Sequence, residues 1–227
     1  MISAVIFDFD GLIIETEGPT YQSWQEIYQS FGCALPFSIW SSMVGTTQSD
    51  FDPRRELERL VKKSLNWEEI EIKRQFTENA LIEAQPILPG VEDYLRDARR
   101  LGLKMGIASN SPSTWVTKYL ARHGLQDYFD TLSTSDYVPH LKPDPALYLS
   151  ALSGLRVEAD QAFALEDSPL GIRSAKRAGL YCVAVPNELT CKLDLSQADF
   201  QVDSLGDMPL EELLHVVNSI KTQRAAF

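Results

Sequence analysis

The sequence predicts an α/β protein, a doubly wound core of parallel strands interrupted by an inserted all-helical domain. Three observations carry that expectation. Short apolar runs, Ala4 to Phe7, Lys104 to Ala108, Ala162 to Leu165 and Tyr181 to Val185, have the composition of strands buried on both faces. Helical patterns separate most of them, and strands alternating with helices argue for an open parallel sheet. After the first run, residues 16–85 contain no convincing strand of their own.

Within that inserted stretch, Trp24, Ile27, Tyr28 and Phe31 follow Thr20 and Tyr21 as an apolar stripe at helical spacing, ended by Gly32. Pro53 opens an Arg/Glu/Leu-rich helix. Asn66 with Glu69 resembles a capping box ahead of a third helix from Ile70 to Ala84. Glu17-Gly18-Pro19 and Gln85-Pro86-Ile87-Leu88-Pro89-Gly90 bracket the insertion with turn formers and read as hinge linkers. The expected division is a core of residues 1–15 and 86–227 and a helical domain of residues 16–85. Returning to the core, Val91, Tyr94, Leu95, Ala98 and Leu101 precede Gly102, and Trp115, Val116, Tyr119 and Leu120 precede Gly124, two helices each stopped by glycine. Ala146 to Leu155 and Gly171 to Ala178 complete the helical series.

Composition narrows the partners. The 227 residues carry 21 Lys and Arg against 32 Asp and Glu, a formal charge of -11, which repels nucleic acid and anionic lipid and favours a small diffusible partner. No obligate protein partner is indicated. Cys33, Cys182 and Cys191 are odd in number and show neither a disulfide framework nor a CxxC zinc spacing. His123, His140 and His215 lie far apart without ligand-like spacing. MISAVIFDFDG has no basic leader, and no apolar run reaches the ~20 residues that cross a bilayer. A cytoplasmic protein is the expectation.

In open α/β sheets ligands bind beyond the carboxyl ends of the strands. The first strand ends in Asp8-Phe9-Asp10-Gly11, the second in Ser109-Asn110-Ser111 and the third in Glu166-Asp167-Ser168. Strand alternation places Asp8 and Asp10 on one side, about 6.6 Å apart at Cα, with Phe9 turned away. Four acids at neighbouring strand ends repel one another unless a cation joins them, and oxygen-only ligands suit Mg²⁺. A lone DxD reads better as a turn; a second acidic strand end requires a shared explanation. Ser109-Asn110-Ser111-Pro112 is also a helix-capping signal, compatible with a phosphate cradle at a helix start. Pro143 biases Lys142 towards an extended backbone from which its side chain reaches the cleft.

VIFDFDGLIIET, IASNS, LKPDP and LEDSPLGIRSAKRAG, in this order, resemble the haloacid dehalogenase-like hydrolase superfamily, in the branch containing β-phosphoglucomutase and related sugar-phosphate phosphatases. The resemblance spans essentially the whole chain, with a Rossmann-like core and the helical insertion as a cap. It implies a magnesium-dependent phosphatase in which Asp8 is the nucleophile, forming an aspartyl phosphate, and Asp10 the general acid and base. Ser109, Asn110 and Lys142 would hold the phosphoryl oxygens. Asp8, the Asp10 backbone carbonyl and Asp167 would hold Mg²⁺, with Glu166 nearby.

The substrate implied is a small phosphorylated metabolite, a sugar phosphate foremost. Thr20 and the turn Gly45-Thr46-Thr47-Gln48 are the candidates for facing its leaving group. The rival is a phosphosugar mutase, which needs a second phosphate clamp. The branch's cap histidine corresponds here to Thr20, and its phosphate-binding arginine to Gln48 or a neighbour, departures that favour hydrolysis. A catalytically silent binding protein on the same fold is the alternative of another class.

Overall fold

The apolar runs form the middle of a parallel sheet. The computed structural model describes residues 2–44 and 51–224. Among these, β1 (Ala4–Phe7), β2 (Lys104–Ala108), β3 (Thr131–Ser133), β4 (Ala162–Glu166), β5 (Tyr181–Ala184) and β6 (Phe200–Gln201) lie in the order β3-β2-β1-β4-β5-β6. All neighbours run parallel. The chain winds outward from β1 through β2 to β3, crosses back to β4, and winds out the other way. Its switch point therefore lies between β1 and β4, where Phe7 pairs with Leu165. β1, β4 and β5 are buried throughout, so they read as continuous apolar runs rather than as alternation.

The helices are α1 (Glu17–Ser30), α2 (Phe37–Trp40), α3 (Pro53–Val61), α4 (Trp67–Glu83), α5 (Val91–Arg100), α6 (Ser113–Arg122), α7 (Ala146–Leu155), α8 (Pro169–Arg177) and α9 (Leu210–Arg224). The chain divides into two compact units, one of Met1–Ile14 with Ile87–Phe227 and one of Glu15–Pro86. In the first, Ala4, Ile6, Ala162 and Ala164 pack with Leu147, Ala151 and Leu155 of α7 and with Ile172 and Ala175 of α8. α5 packs on β2 and α9. Its acids Glu92 and Asp93 stand in the first turn and Arg99 and Arg100 in the last, opposing the helix dipole at both ends. In the second unit α1 packs on α4 and buries Trp24, Ile27 and Tyr28. Arg74 is buried there too, against Glu71, Glu78, Ser23 and the Trp24 ring. Among the described residues no helix is long and apolar enough to cross a membrane.

Several local expectations are corrected. Glu17-Gly18-Pro19 is no linker but the first turn of α1, where the proline's missing N–H costs no helical bond. Asn66 makes no side-chain cap to the backbone of α4; its amide lies 3.5 Å from the Glu69 carboxylate instead. The start of α6 is capped not by the serines before Pro112 but by Asp136, whose Oδ2 accepts from the Ser113 N–H at 2.5 Å. The crossing out of the core is a short ladder: Ile14 bridges Ile87 antiparallel, and the Leu88 N–H donates to the Ile13 carbonyl at 3.0 Å. β3, β6, α2 and α9 add to the elements read from sequence. The edge strands are three and two residues long, too short to carry a period.

Candidate active site

The carboxyl edge of the sheet beside the switch point holds a buried group of charged side chains. Asp8 follows β1 and is 7% exposed; Glu166 ends β4 at 0%, and Asp167 follows at 2%. One carboxylate oxygen from each of these three lies within 4.8 Å of the others. The Lys142 ammonium, itself buried, donates to Asp8 Oδ1 and, at 2.6 Å, to Glu166 Oε1. Lys142 is set by its own loop, where its backbone N–H donates to Asn110 Oδ1 at 2.9 Å.

Glu166 is held on every side. Its Oε1 also accepts from the Tyr148 hydroxyl at 2.6 Å, and its Oε2 from Ser168 Oγ at 3.4 Å. Ser168 is in turn the cap of α8, accepting from the Gly171 N–H at 3.2 Å with Pro169 at the first helical position. Gly171 leaves no room for a side chain, since a Cβ there would stand 1.9 Å from both Glu166 oxygens. Asp167 has a separate clamp, Asn187, whose Nδ2 donates to Asp167 Oδ2 at 2.8 Å.

Asp10 sits on the same edge but faces a different set of partners. Its Oδ1 accepts from the Trp115 indole N–H at 2.9 Å, and its Oδ2 from Ser111 Oγ at 2.6 Å and Ser109 Oγ at 3.3 Å. Its carboxyl is thus outside the group made by Asp8, Glu166 and Asp167, because the serine-rich loop after β2 draws it away. Gly11, with φ of +84°, makes the turn that carries the chain past Asp167 into Leu12.

The electrostatics follow from burial. Loss of water raises the Asp8 carboxyl to about 8; Lys142 opposes the rise, and Glu166 and Asp10 add to it. Burial alone would lower the Lys142 ammonium, but Asp8 and Glu166 outweigh it and hold that group above its ordinary value. Burial likewise pushes the Tyr148 hydroxyl up, reinforced by Glu166, so it remains a donor. Three buried carboxyl groups share one ammonium, and the raised Asp8 value is the cost of crowding them there. That is the donor set a hard divalent cation fits: clustered carboxylate oxygens without nitrogen or sulfur.

Asp8, Asp10, Ser109, Asn110, Lys142, Glu166 and Asp167, drawn from separate segments, therefore meet on one edge. Thr20 lies in the first turn of α1, its hydroxyl donating to the Thr16 carbonyl at 2.9 Å. Gly45, Thr46, Thr47 and Gln48 fall outside the described residues. Residues given no role in the site from the sequence are Ser111, Trp115, Tyr148 and Asn187. Trp115 and Tyr148 carry little signal, because each sits in a helix whose apolar residues account for it. Asn187 follows β5 at the end of Val185-Pro186, so the strand-end criterion applied to that strand would have reached it.

The profile described as haloacid dehalogenase-like hydrolase matches residues 5–185. YhcW of Bacillus subtilis is 43% identical over 96% of this chain and 99% of its own length. The phosphorylated carbohydrates phosphatase of Thermotoga maritima is 27% identical over 96% of this chain and all of its own. The crystal structure of β-phosphoglucomutase from Clostridium difficile superposes with a TM-score of 0.73 at 26% identity, covering 96% of this chain and 98% of that one. The profile match across most of the chain, together with the 43% identity to a relative of nearly the same length, establishes that the protein belongs to the haloacid dehalogenase-like hydrolase family.

Proposed function

We propose that this chain hydrolyses the phosphomonoester of a small phosphorylated carbohydrate, with Mg²⁺ and through an aspartyl phosphate on Asp8. The observation that carries the reading is the buried meeting of Asp8 with Lys142, Glu166 and Asp167 at the switch point. A carboxylate buried on a lysine is shielded from water and aimed along the strand edge, the position of a nucleophile. A magnesium ion held by Asp8 and Asp167, with Glu166 behind, would mask the charge that otherwise keeps a carboxylate from an anionic phosphoryl group. Lys142 offsets the remaining charge, and Ser109 and Asn110 line the phosphate side. Asp10, one turn of chain further on, protonates the leaving oxygen as Asp8 attacks, then takes a proton from the water that opens the aspartyl phosphate. The inserted unit is assigned the selection of the leaving group, with Thr20, Gly45, Thr46, Thr47 and Gln48 as its first candidates. The phosphatases among the relatives support hydrolysis, and the Thermotoga maritima protein's name supports a carbohydrate phosphate.

A mutase is the second reading, favoured by the likeness to β-phosphoglucomutase. Against it, Thr20 supplies no charge for a second phosphate and spends its hydroxyl on a helix carbonyl. The deciding experiment is phosphate release from a panel of sugar, polyol and nucleotide phosphates, with and without magnesium. Wild type is expected to require the ion, and Asp8→Asn and Asp10→Asn to lose activity by orders of magnitude while remaining folded. Retained turnover in Asp8→Asn would remove the covalent route. Phosphoryl transfer between sugar hydroxyls without release would establish the mutase.

A further inference from the structure

We infer that Asn187 is a positioning residue for the cation site, fixing the carboxylate of Asp167 in its ligating orientation. The inference rests on the magnesium reading above and concerns only this chain's own residues. Asn187 stands in the loop after β5, and all of its side-chain hydrogen-bonding capacity is engaged. Its Nδ2 donates to Asp167 Oδ2 at 2.8 Å and to the Gly11 carbonyl at 3.2 Å. Its Oδ1 accepts from the backbone N–H groups of Leu189 at 3.0 Å and Thr190 at 2.9 Å. The four partners admit one amide orientation: two acceptors face the nitrogen and two donors face the oxygen. The backbone of Asn187 is anchored as well, donating to Thr190 Oγ1 at 2.9 Å, and Thr190 is wholly buried.

One side chain therefore ties together the turn after β1, the end of β4 and the loop after β5. Gly11 packs against this same contact. A Cβ at Gly11 would stand 2.4 Å from Asp167 Oδ2 and 2.7 Å from Asn187 Nδ2. Asp167 Oδ2 thus meets an amide locked by its own turn, at a place where the adjoining backbone leaves no room for a side chain. A neutral donor is the suitable chemistry here. It holds an anionic ligand without bringing in a competing positive charge, as an ammonium at the same place would.

The test is Mn²⁺ binding followed by electron paramagnetic resonance on the full-length protein, for wild type, Asn187→Ser and Asp167→Asn. Serine keeps an oxygen able to cap the Leu189 and Thr190 N–H groups but lacks the amide that reaches Asp167. Asn187→Ser is expected to bind Mn²⁺ about tenfold more weakly. Its thermal midpoint without metal should fall less than that of Asn187→Ala, since only the two Nδ2 hydrogen bonds are lost, and the Mg²⁺ concentration for half activity should rise in step with the weaker Mn²⁺ binding. Asn187→Ala serves as a second variant, expected to show the same weakening together with a lower thermal midpoint from the lost cap. Wild-type affinity in Asn187→Ser would overturn the positioning role and leave the cation site standing. Absence of Mn²⁺ binding in wild type, or binding unaffected by Asp167→Asn, would overturn the cation reading and this inference with it.

Discussion

Replacing Gly171 with alanine tests whether Glu166 is as firmly held as the geometry requires. An alanine in a helix ordinarily gains up to about 1 kcal/mol over glycine. Here the added Cβ would stand 1.9 Å from both Glu166 oxygens and 2.0 Å from Cδ, against an ordinary contact of 3.4 Å or more, so the carboxylate must retreat by about 1.5 Å. It has nowhere to go: Lys142, Tyr148 and Ser168 hold it, and it is 0% exposed. Breaking a buried pair by displacing one partner costs roughly 3–5 kcal/mol. After the helix gain is deducted, Gly171→Ala should destabilise by roughly 2–4 kcal/mol. Gly206→Ala is the matched control, because its Cβ would meet Ser204 Oγ at 3.5 Å and Pro89 Cβ at 3.6 Å, both ordinary contacts. The control should change stability by no more than about 1 kcal/mol. Urea unfolding followed by circular dichroism gives both midpoints, and unchanged slopes would assign the shift to stability rather than to compactness. A Gly171→Ala protein as stable as its parent would refute the reasoning, since Glu166 would then have to be free to move.

Two further outcomes follow from the same contacts. Trp115→Phe keeps an aromatic ring beside Tyr119, which the indole meets at 4.8 Å, but removes the N–H on Asp10, so turnover should fall about tenfold with KM little changed; steady-state phosphate release checks it, and an unchanged kcat would show that Asp10 needs no indole partner. Glu71 is raised by burial but more strongly lowered by Arg74 and Arg54, ending below its usual 4.5. A depressed native value means this carboxylate stabilises the fold fully above that usual value and loses its contribution as pH falls through the native one. Thermal midpoints of wild type should therefore fall more steeply than those of Glu71→Gln between about pH 6 and pH 3, and parallel profiles would contradict this.

How much was legible in the sequence depended on the range over which each residue's role is decided. β1, β2, β4 and β5 were readable because the stretch of a strand buried on both faces must be apolar whatever it pairs with, and only the ends, Lys104 of β2 and Glu166 of β4, depart from that. Asp8, Asp10, Glu166 and Asp167 stood out because acids directly after such runs have no reason in packing. The caps were less legible. Asp52 caps α3 from the adjoining position, but α6 takes its cap from Asp136, 23 residues away, and Asn66 leaves its own helix uncapped. A local pattern shows which residues are able to cap, and competition among neighbours in space selects the one that does.

By itself the sequence determined the parallel core, the helical insertion and the set of acids, since these follow from periodicity and from the cost of burying charge. Only the tertiary structure decided the partners: that Glu166 is gripped by Lys142 and Tyr148, that Asp10 turns to Ser111 and Trp115, and that Asn187 reaches Asp167. The physical reason is that hydrogen bonds depend on distances of a few tenths of an ångström between segments far apart in the chain. Those distances exist only once the sheet has set β1, β2, β4 and β5 side by side.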